Sequence, residues 1–309
     1  MRRPTLALDS SSIPSGAITR FAPAPTGFLH LGHLVSAVFV WGVARRFGSR
    51  VLLRIEDHDQ GRSRAVYESA LLEDLEWLGL LPDEPALESF RTGSSPFRQS
   101  GRGDRYASVL NDLASDYPVY GCRCSRRDIA DEVDAVPGDE RRYPGTCRER
   151  DLRIDDEGVA VRIVMEPGAE RFDDLLLGPQ KQTPEQQCGD LMVRDRLAQW
   201  TYQFAVTVDD WDQGVNLIIR GEDLLSSTGR QIRLARLLGR EEPPLFLHHP
   251  LVLKPSGEKL SKANRDTGIR ELRAAGMEAA ELLGEAAYRG GLLTRARPIT
   301  AADIGELFG

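Results

Sequence analysis

Residues 17–55 restrict the fold more than any other stretch of this chain. Residues 17–21, Ala-Ile-Thr-Arg-Phe, make a short strand-like run. Ala22-Pro-Ala-Pro-Thr-Gly27 follows, and two prolines and a glycine cannot extend a strand, so it is read as a loop. Over residues 30–47, Leu34, Val35, Val38, Phe39 and Val43 recur at helical spacing, and Gly48 is placed to stop the helix. Residues 50–55 are again almost wholly apolar, as in a parallel strand covered on both faces. Strand, loop, helix, strand predicts a βαβ unit. It puts the Pro/Gly loop at a strand's carboxyl end, where open α/β sheets bind ligands.

The remaining pattern is less regular. A helix is predicted over 65–78 and strands over 159–164, 171–177, 205–208, 215–219 and 251–253. Ser226, Ser227 and Thr228 offer caps for a helix that ends at Gly239. Residues 1–16 read as a loose arm, and the chain closes in short Ala-, Leu- and Glu-rich helical pieces. Trp41 and Trp77 fall on apolar helical faces and are expected in the core, whereas His58, His248 and His249 are expected at turn or packing positions. No apolar run approaches the roughly 20 residues of a membrane span, and the apolar stretch after Arg2 and Arg3 is too short for a signal peptide. A cytoplasmic protein is expected. The net charge of −7 argues against a wholly basic surface for nucleic acid but leaves room for a local patch.

Three motifs carry chemistry. His30-Leu-Gly-His33 opens the first helix, whose free N–H groups and partial positive charge suit phosphate. The two histidines share one face and can donate to charge developing on an α-phosphate, while Gly32 lets a base or ribose approach the backbone. Lys259-Leu-Ser-Lys262 lies in a loop far downstream, and lysines on a loop make good phosphate clamps. Cys122, Cys124 and Cys147 cluster in one segment and read as metal ligands before disulfides. Three thiolates need a fourth partner for tetrahedral zinc. From the residues alone, Cys188, an acidic residue or water would serve.

The HLGH and KLSK pair on a βαβ unit resembles the signature motifs of class I aminoacyl-tRNA synthetases. Arg20-Phe-Ala-Pro-Ala-Pro-Thr-Gly27, Leu53-Arg-Ile-Glu-Asp57 and Ile219-Arg-Gly-Glu-Asp223 resemble the glutamyl branch, and the likeness runs from about residue 17 to about 263. Only 47 residues follow Lys262, a plan similar to the glutamyl-Q tRNA(Asp) synthetase family. That resemblance implies an α/β fold: a Rossmann-type parallel-sheet catalytic domain (17–114 and 191–262) with a zinc-binding, acceptor-binding-like insertion (115–190) and a short helical C-terminal region (263–309). It implies ATP with Mg²⁺ and glutamate as substrates, and a monomer acting on tRNA(Asp) bearing queuosine. His30, His33, Lys259 and Lys262 would be catalytic, with ATP on His30, Gly32, His33 and Lys262. Glutamate would lie on Arg20, Phe21, Ala22, Pro23, Ala24, Glu56, Tyr202 and Arg220. Glu56 would meet the ammonium, Arg20 and Arg220 the carboxylates. Tyr143-Pro-Gly-Thr-Cys147 matches the family's zinc pattern and implies Tyr143 as the fourth ligand. The family often has serine where this chain has Ala24, so one hydroxyl contact is lost. Arg123, Arg126 and Arg127 are candidates for RNA contact, ahead of Arg230, Arg233 and Arg236.

Overall fold

The computed structural model describes residues 8, 12–93, 95–132, 141–252 and 268–309. The expected βαβ unit is present. Strand β1 (Ile18–Phe21) lies parallel to β2 (Arg50–Leu53), with Ile18 opposite Arg50 and Phe21 opposite Leu53, and α1 (Leu31–Phe47) connects them. Helix α1 ends at Gly48 in the left-handed conformation, φ 65°, where its N–H reaches the Ala44 carbonyl. Helix α2 (Ala65–Leu78) follows, and then α3 (Leu87–Arg91) and α4 (Gly103–Asp116).

On the other side of β1 runs β8 (Leu217–Gly221). Asn216 joins the two: its backbone N–H donates to the Ile18 carbonyl at 3.0 Å, and its side-chain oxygen accepts from the Ile18 N–H at 2.7 Å. Strand β8 pairs in parallel with β9 (Leu245–His249), which meets β5 (Glu170–Asp174); β5 carries the antiparallel partner β6 (Gly178–Gln182). The chain thus departs from β1 to β2 on one side and lays β8 on the other. Such a reversal separates the loops that follow β1 and β8 and opens a crevice at their carboxyl ends.

A separate antiparallel sheet of β3 (Val119–Cys122), β4 (Ala160–Ile163) and β7 (Leu191–Arg194) carries the cysteine segment, flanked by α5 (Arg126–Glu132) and α6 (Pro184–Cys188). Within 115–190, β5 and β6 therefore belong to the sheet of β8 and β9, while β7 pairs beyond residue 190 with the insertion's sheet.

Two predicted strands are corrected. Residues 205–208 lie inside a helix, α7 (Tyr202–Asp212), in which seven consecutive residues from Phe204 to Asp210 are buried. A helix buried all round loses its amphipathic period, and a short apolar run then mimics a strand. The strand expected over 251–253 is β9, six residues earlier; its two terminal histidines hide it in the sequence, yet both are buried. Leu251 and Val252 are irregular, and Leu253 lies outside the described residues. Helix α8 (Thr228–Leu237) starts as expected, but the Ser227 hydroxyl accepts from Gln203 Nε2 at 2.9 Å instead of capping it.

The C-terminal helix α10 (Ala279–Arg289), which follows α9 (Ile269–Ala274), and the turn Asp303–Phe308 pack on α1. Leu282, Leu283, Ala286, Ile304 and Phe308 share one core with Val38, Phe39 and Trp41. Gly42 is required there: a Cβ would stand 2.2 Å from Phe308 Cε2. Trp41 is buried, its indole N–H donating to the Leu81 carbonyl at 2.9 Å, whereas Trp77 is only half-buried beneath the Arg273 guanidinium. Among the described residues no helix is long and apolar enough to cross a membrane.

Candidate active site and metal centre

His30 is the N-cap of α1, and with His33 it closes a reciprocal box. His30 Nδ1 accepts from the Gly32 N–H at 3.1 Å, and His33 Nδ1 accepts from the His30 N–H at 3.1 Å. A ring nitrogen that accepts carries no hydrogen, so both rings are fixed as Nε2–H donors. The rings lie 3.9 Å apart between centroids. Gly32 serves this cap directly: a Cβ there would stand 2.9 Å from His30 Cε1. His30, Gly32 and His33 line a cavity of about 330 Å³ together with Gly221, Asp223 and His249 to Val252. Lys259 and Lys262 lie outside the described residues.

The loop after β1 runs beside the segment after β2. Arg54 N–H donates to the Phe21 carbonyl at 3.0 Å and Glu56 N–H to the Pro23 carbonyl at 3.1 Å, so Ala22, Pro23 and Ala24 lie along Glu56. Phe21 turns inward against Trp41, with ring centroids 5.2 Å apart. Below Glu56 lies an ionic network absent from the sequence reading. The fully buried Arg54 reaches Glu56 at 3.1 Å, Asp210 at 2.8 Å and Asp209 at 3.8 Å. Arg20 Nε binds both oxygens of Asp210, at 3.1 and 3.3 Å, and its Nη1 donates to the Ile219 carbonyl. Burial raises the Glu56 carboxyl above the usual carboxylate range, against the pull of Arg54 and Arg20. Asp210 is equally buried, but Arg20 and Arg54 hold it below that range.

Arg220, 4% exposed, is held differently. Its Nε donates to His248 Nε2 at 3.0 Å, Nη1 to Gln231 at 2.7 Å and Nη2 to the Thr228 hydroxyl at 2.8 Å. His248 is in turn fixed by Asp174, 2.7 Å from its Nδ1. Because Nε2 accepts from Arg220, the hydrogen sits on Nδ1 and the ring is neutral; burial lowers its pKa as well. Among the described residues no carboxylate forms an ion pair with Arg220, and burial lowers its pKa. Tyr202, at the start of α7, lies within electrostatic reach of Glu56, Arg220, Arg20 and Asp210, and burial followed by Glu56 raises its phenol. The site thus brings together Arg20, Glu56, Tyr202 and Arg220.

Arg54, Asp174, Asp209, Asp210 and His248 were missed as site residues. The only sequence signal was their place beside recognised motifs: Arg54 in Leu-Arg-Ile-Glu-Asp and Asp209-Asp210 seven residues after Tyr202. The packing position expected of His248 is a hydrogen-bonding one. His58 instead meets Gln99 at 2.6 Å.

The metal group is equally local. The sulfurs of Cys122, Cys124 and Cys147 lie within 4.8 Å of one another, and Tyr143 Oη lies 3.3 Å from Cys122 Sγ and 3.8 Å from Cys124 Sγ. Tetrahedral zinc with sulfur at about 2.3 Å needs ligand edges of about 3.8 Å, close to the 3.5 Å between Cys124 and Cys147. The donor set therefore fits zinc. Against burial, hydrogen bonds from the Arg123 backbone and from Tyr143 bring the Cys147 thiol to about 7. Cys188 is not in the group; its thiol donates to the Pro184 carbonyl at 3.2 Å. Arg162 lies over the Tyr143 ring at 3.6 Å, and Arg126, Arg127, Arg141 and Arg162 line a cavity of about 700 Å³ that reaches Tyr202. Arg230 is buried, and Arg233 and Arg236 both bind Glu170, with Arg236 still half-exposed.

Residues 17–299 match the family described as tRNA synthetases class I (E and Q), catalytic domain, and the chain belongs to that family. It is 42% identical over 282 residues to the Glutamyl-Q tRNA(Asp) synthetase of Nitratidesulfovibrio vulgaris, covering 89% of this chain and 86% of that protein. The likeness to the glutamyl-Q tRNA(Asp) synthetase family read from the motifs therefore holds. The Glutamate--tRNA ligase 2 of Syntrophus aciditrophicus is 36% identical over 292 residues, but this chain spans only 59% of its length. The crystal structure of a glutamate tRNA ligase from Elizabethkingia meningosepticum in complex with its amino acid superposes with a TM-score of 0.76 at 25% identity, covering 96% of this chain, which spans 65% of that one.

Proposed function

We propose that this chain activates glutamate with ATP as glutamyl-adenylate and transfers the glutamyl group to the queuosine base in the anticodon of tRNA(Asp). The observation that carries the glutamate reading is Arg220: a buried guanidinium whose hydrogen-bond partners, His248, Gln231, Thr228 and Tyr202, are all neutral, beside Glu56. A buried cation without a counter-ion is costly, and an anionic ligand offsets that cost. A substrate carboxylate on Arg220 and an ammonium near Glu56 satisfy both charges. Arg20, already bound to Asp210, supports the pocket more than it receives the ligand.

In the first step a glutamate α-carboxylate oxygen attacks the α-phosphorus of ATP and pyrophosphate leaves. The Nε2–H groups of His30 and His33 stabilise charge on the phosphates, and Lys259 and Lys262 supply cations; catalysis is by position and electrostatics. Mg²⁺ accompanies the nucleotide. In the second step a hydroxyl of the queuosine cyclopentenediol takes the glutamyl group and AMP leaves. Zinc held by Cys122, Cys124, Cys147 and Tyr143 would cross-link the insertion. The cavity lined by Arg126, Arg127, Arg141 and Arg162 is the place where RNA phosphate would meet the catalytic pocket. The enzyme works as a monomer in the cytoplasm.

The match to a glutamate–tRNA ligase keeps one rival, a compact enzyme charging the tRNA 3′ end. Transfer of labelled glutamate, with ATP, to tRNA(Asp) purified with and without queuosine separates the two. Labelling that requires queuosine supports the proposal; labelling of unmodified tRNA(Glu) instead overturns it in favour of the rival.

A further inference from the structure

His249 closes β9, 3% exposed, on the wall of the cavity that holds His30 and His33. Its Nδ1 lies 3.0 Å from the Pro250 carbonyl oxygen. That oxygen can only accept, so Nδ1 carries the ring hydrogen and Nε2 is a bare lone pair. Nε2 is shielded from solvent and has no hydrogen-bond partner among the described residues. Burial lowers the imidazole pKa to about 4, so the ring is neutral near pH 7. Its orientation is fixed from behind: the ring stacks on Phe39 with centroids 4.9 Å apart at 21°, and Phe39 is backed edge-on by Phe308 at 5.4 Å.

A buried acceptor without a donor is unfavourable, and such orphans call for a ligand or a bound water. The polarity of this cavity decides which ligand. Its lining combines His30 and His33, whose Nε2–H groups are donors, with His249 and Asp223, whose Nε2 and carboxyl are acceptors. Phosphate oxygens match the histidine donors and are repelled by the acceptors. The nucleoside half of ATP has the complementary polarity, because the adenine amine and the ribose hydroxyls are hydrogen-bond donors.

We infer that His249 Nε2 accepts a hydrogen bond from the nucleoside half of ATP and so sets nucleotide specificity. This rests on reading the cavity as the ATP site. His249 acts in binding, and no proton moves.

The test is calorimetric binding at pH 7.5 of ATP and three analogues, each lacking one donor: purine riboside triphosphate, 2′-deoxy-ATP and 3′-deoxy-ATP. Each is titrated into the wild-type chain and into His249→Phe, which keeps a ring on Phe39. One analogue should bind the wild type about 10-fold more weakly than ATP, the scale of one hydrogen bond. Its identity tells whether the base or the ribose is read. In His249→Phe, ATP should weaken by a similar factor and that analogue's penalty should shrink below about 2-fold. Should His249→Phe melt early, His249→Leu takes its place. Equal binding of all four nucleotides to the wild type, or a penalty unchanged in the variants, overturns the inference while leaving the ATP site intact. Failure of ATP itself to bind the folded wild type overturns the reading of the cavity and this inference with it.

Discussion

Arg220→Lys tests the glutamate pocket at its most specific point. The guanidinium spends its fork on three acceptors, His248 Nε2, Gln231 Oε1 and the Thr228 hydroxyl, and still faces Tyr202 and Glu56. A lysine ammonium keeps the charge but has neither the planar fork nor the reach to hold all three acceptors and a carboxylate together. Loss of one hydrogen bond to a charged group costs about 1.5–3 kcal/mol. At about 1.4 kcal/mol per tenfold, the glutamate KM should rise roughly 10- to 150-fold. Glutamate-dependent ATP–pyrophosphate exchange measures it, with a thermal melt to confirm that the variant is folded. The KM for ATP should stay within about twofold, since one charge-conserving substitution leaves the His30–His33 cavity untouched. Arg20→Lys should do less to the glutamate KM, because Arg20 already neutralises Asp210. A folded Arg220→Lys enzyme with a wild-type glutamate KM would refute the assignment of Arg220 as the carboxylate partner.

Four further outcomes are expected. Lys262→Ala should abolish pyrophosphate exchange while glutamate binding by calorimetry survives; unchanged exchange would remove the lysine from the phosphate site. Cys147→Ser should lose stoichiometric zinc by metal analysis of chelator-free protein, and the wild type should hold one zinc per chain; absence of zinc from the wild type would end the metal assignment. Ala24→Ser should tighten glutamate by at most about 1 kcal/mol, the net worth of one hydrogen bond, read as a lower KM. His249 ties pH to stability: its pKa of about 4 in the fold lies below the ordinary histidine value of about 6.5, so the unfolded chain binds the proton first as pH falls. Its contribution is present above about pH 6.5 and declines by about 3 kcal/mol toward pH 4, so His249→Phe should melt with a flatter pH dependence than wild type between those values. Parallel curves would contradict this.

The sequence by itself determined the βαβ unit, because its apolar periods and its Pro/Gly loop are local and mutually consistent. It also placed the two histidines and the cysteine cluster, since each motif acts through neighbours a few residues away: His30 caps its own helix with His33, and Tyr143 reaches Cys147 within one turn. Long-range effects were not legible. Residues 205–208 look like a strand until the protein wraps them on every side, and β9 is read six residues late, at 251–253, because its two terminal histidines interrupt the apolar run. Only the tertiary structure separated the roles of the two arginines. Arg20 and Arg220 are equal as letters, yet folding pairs one with Asp210 and gives the other only neutral hydrogen-bond partners. The same holds for His248 and His249, adjacent in sequence: Asp174 and Arg220 occupy both nitrogens of the first, while among the described residues burial leaves one nitrogen of the second unpartnered. Charge and hydrogen-bond balance depend on which distant groups arrive in the same low-dielectric space, and the placement of β8 beside β1 decides that.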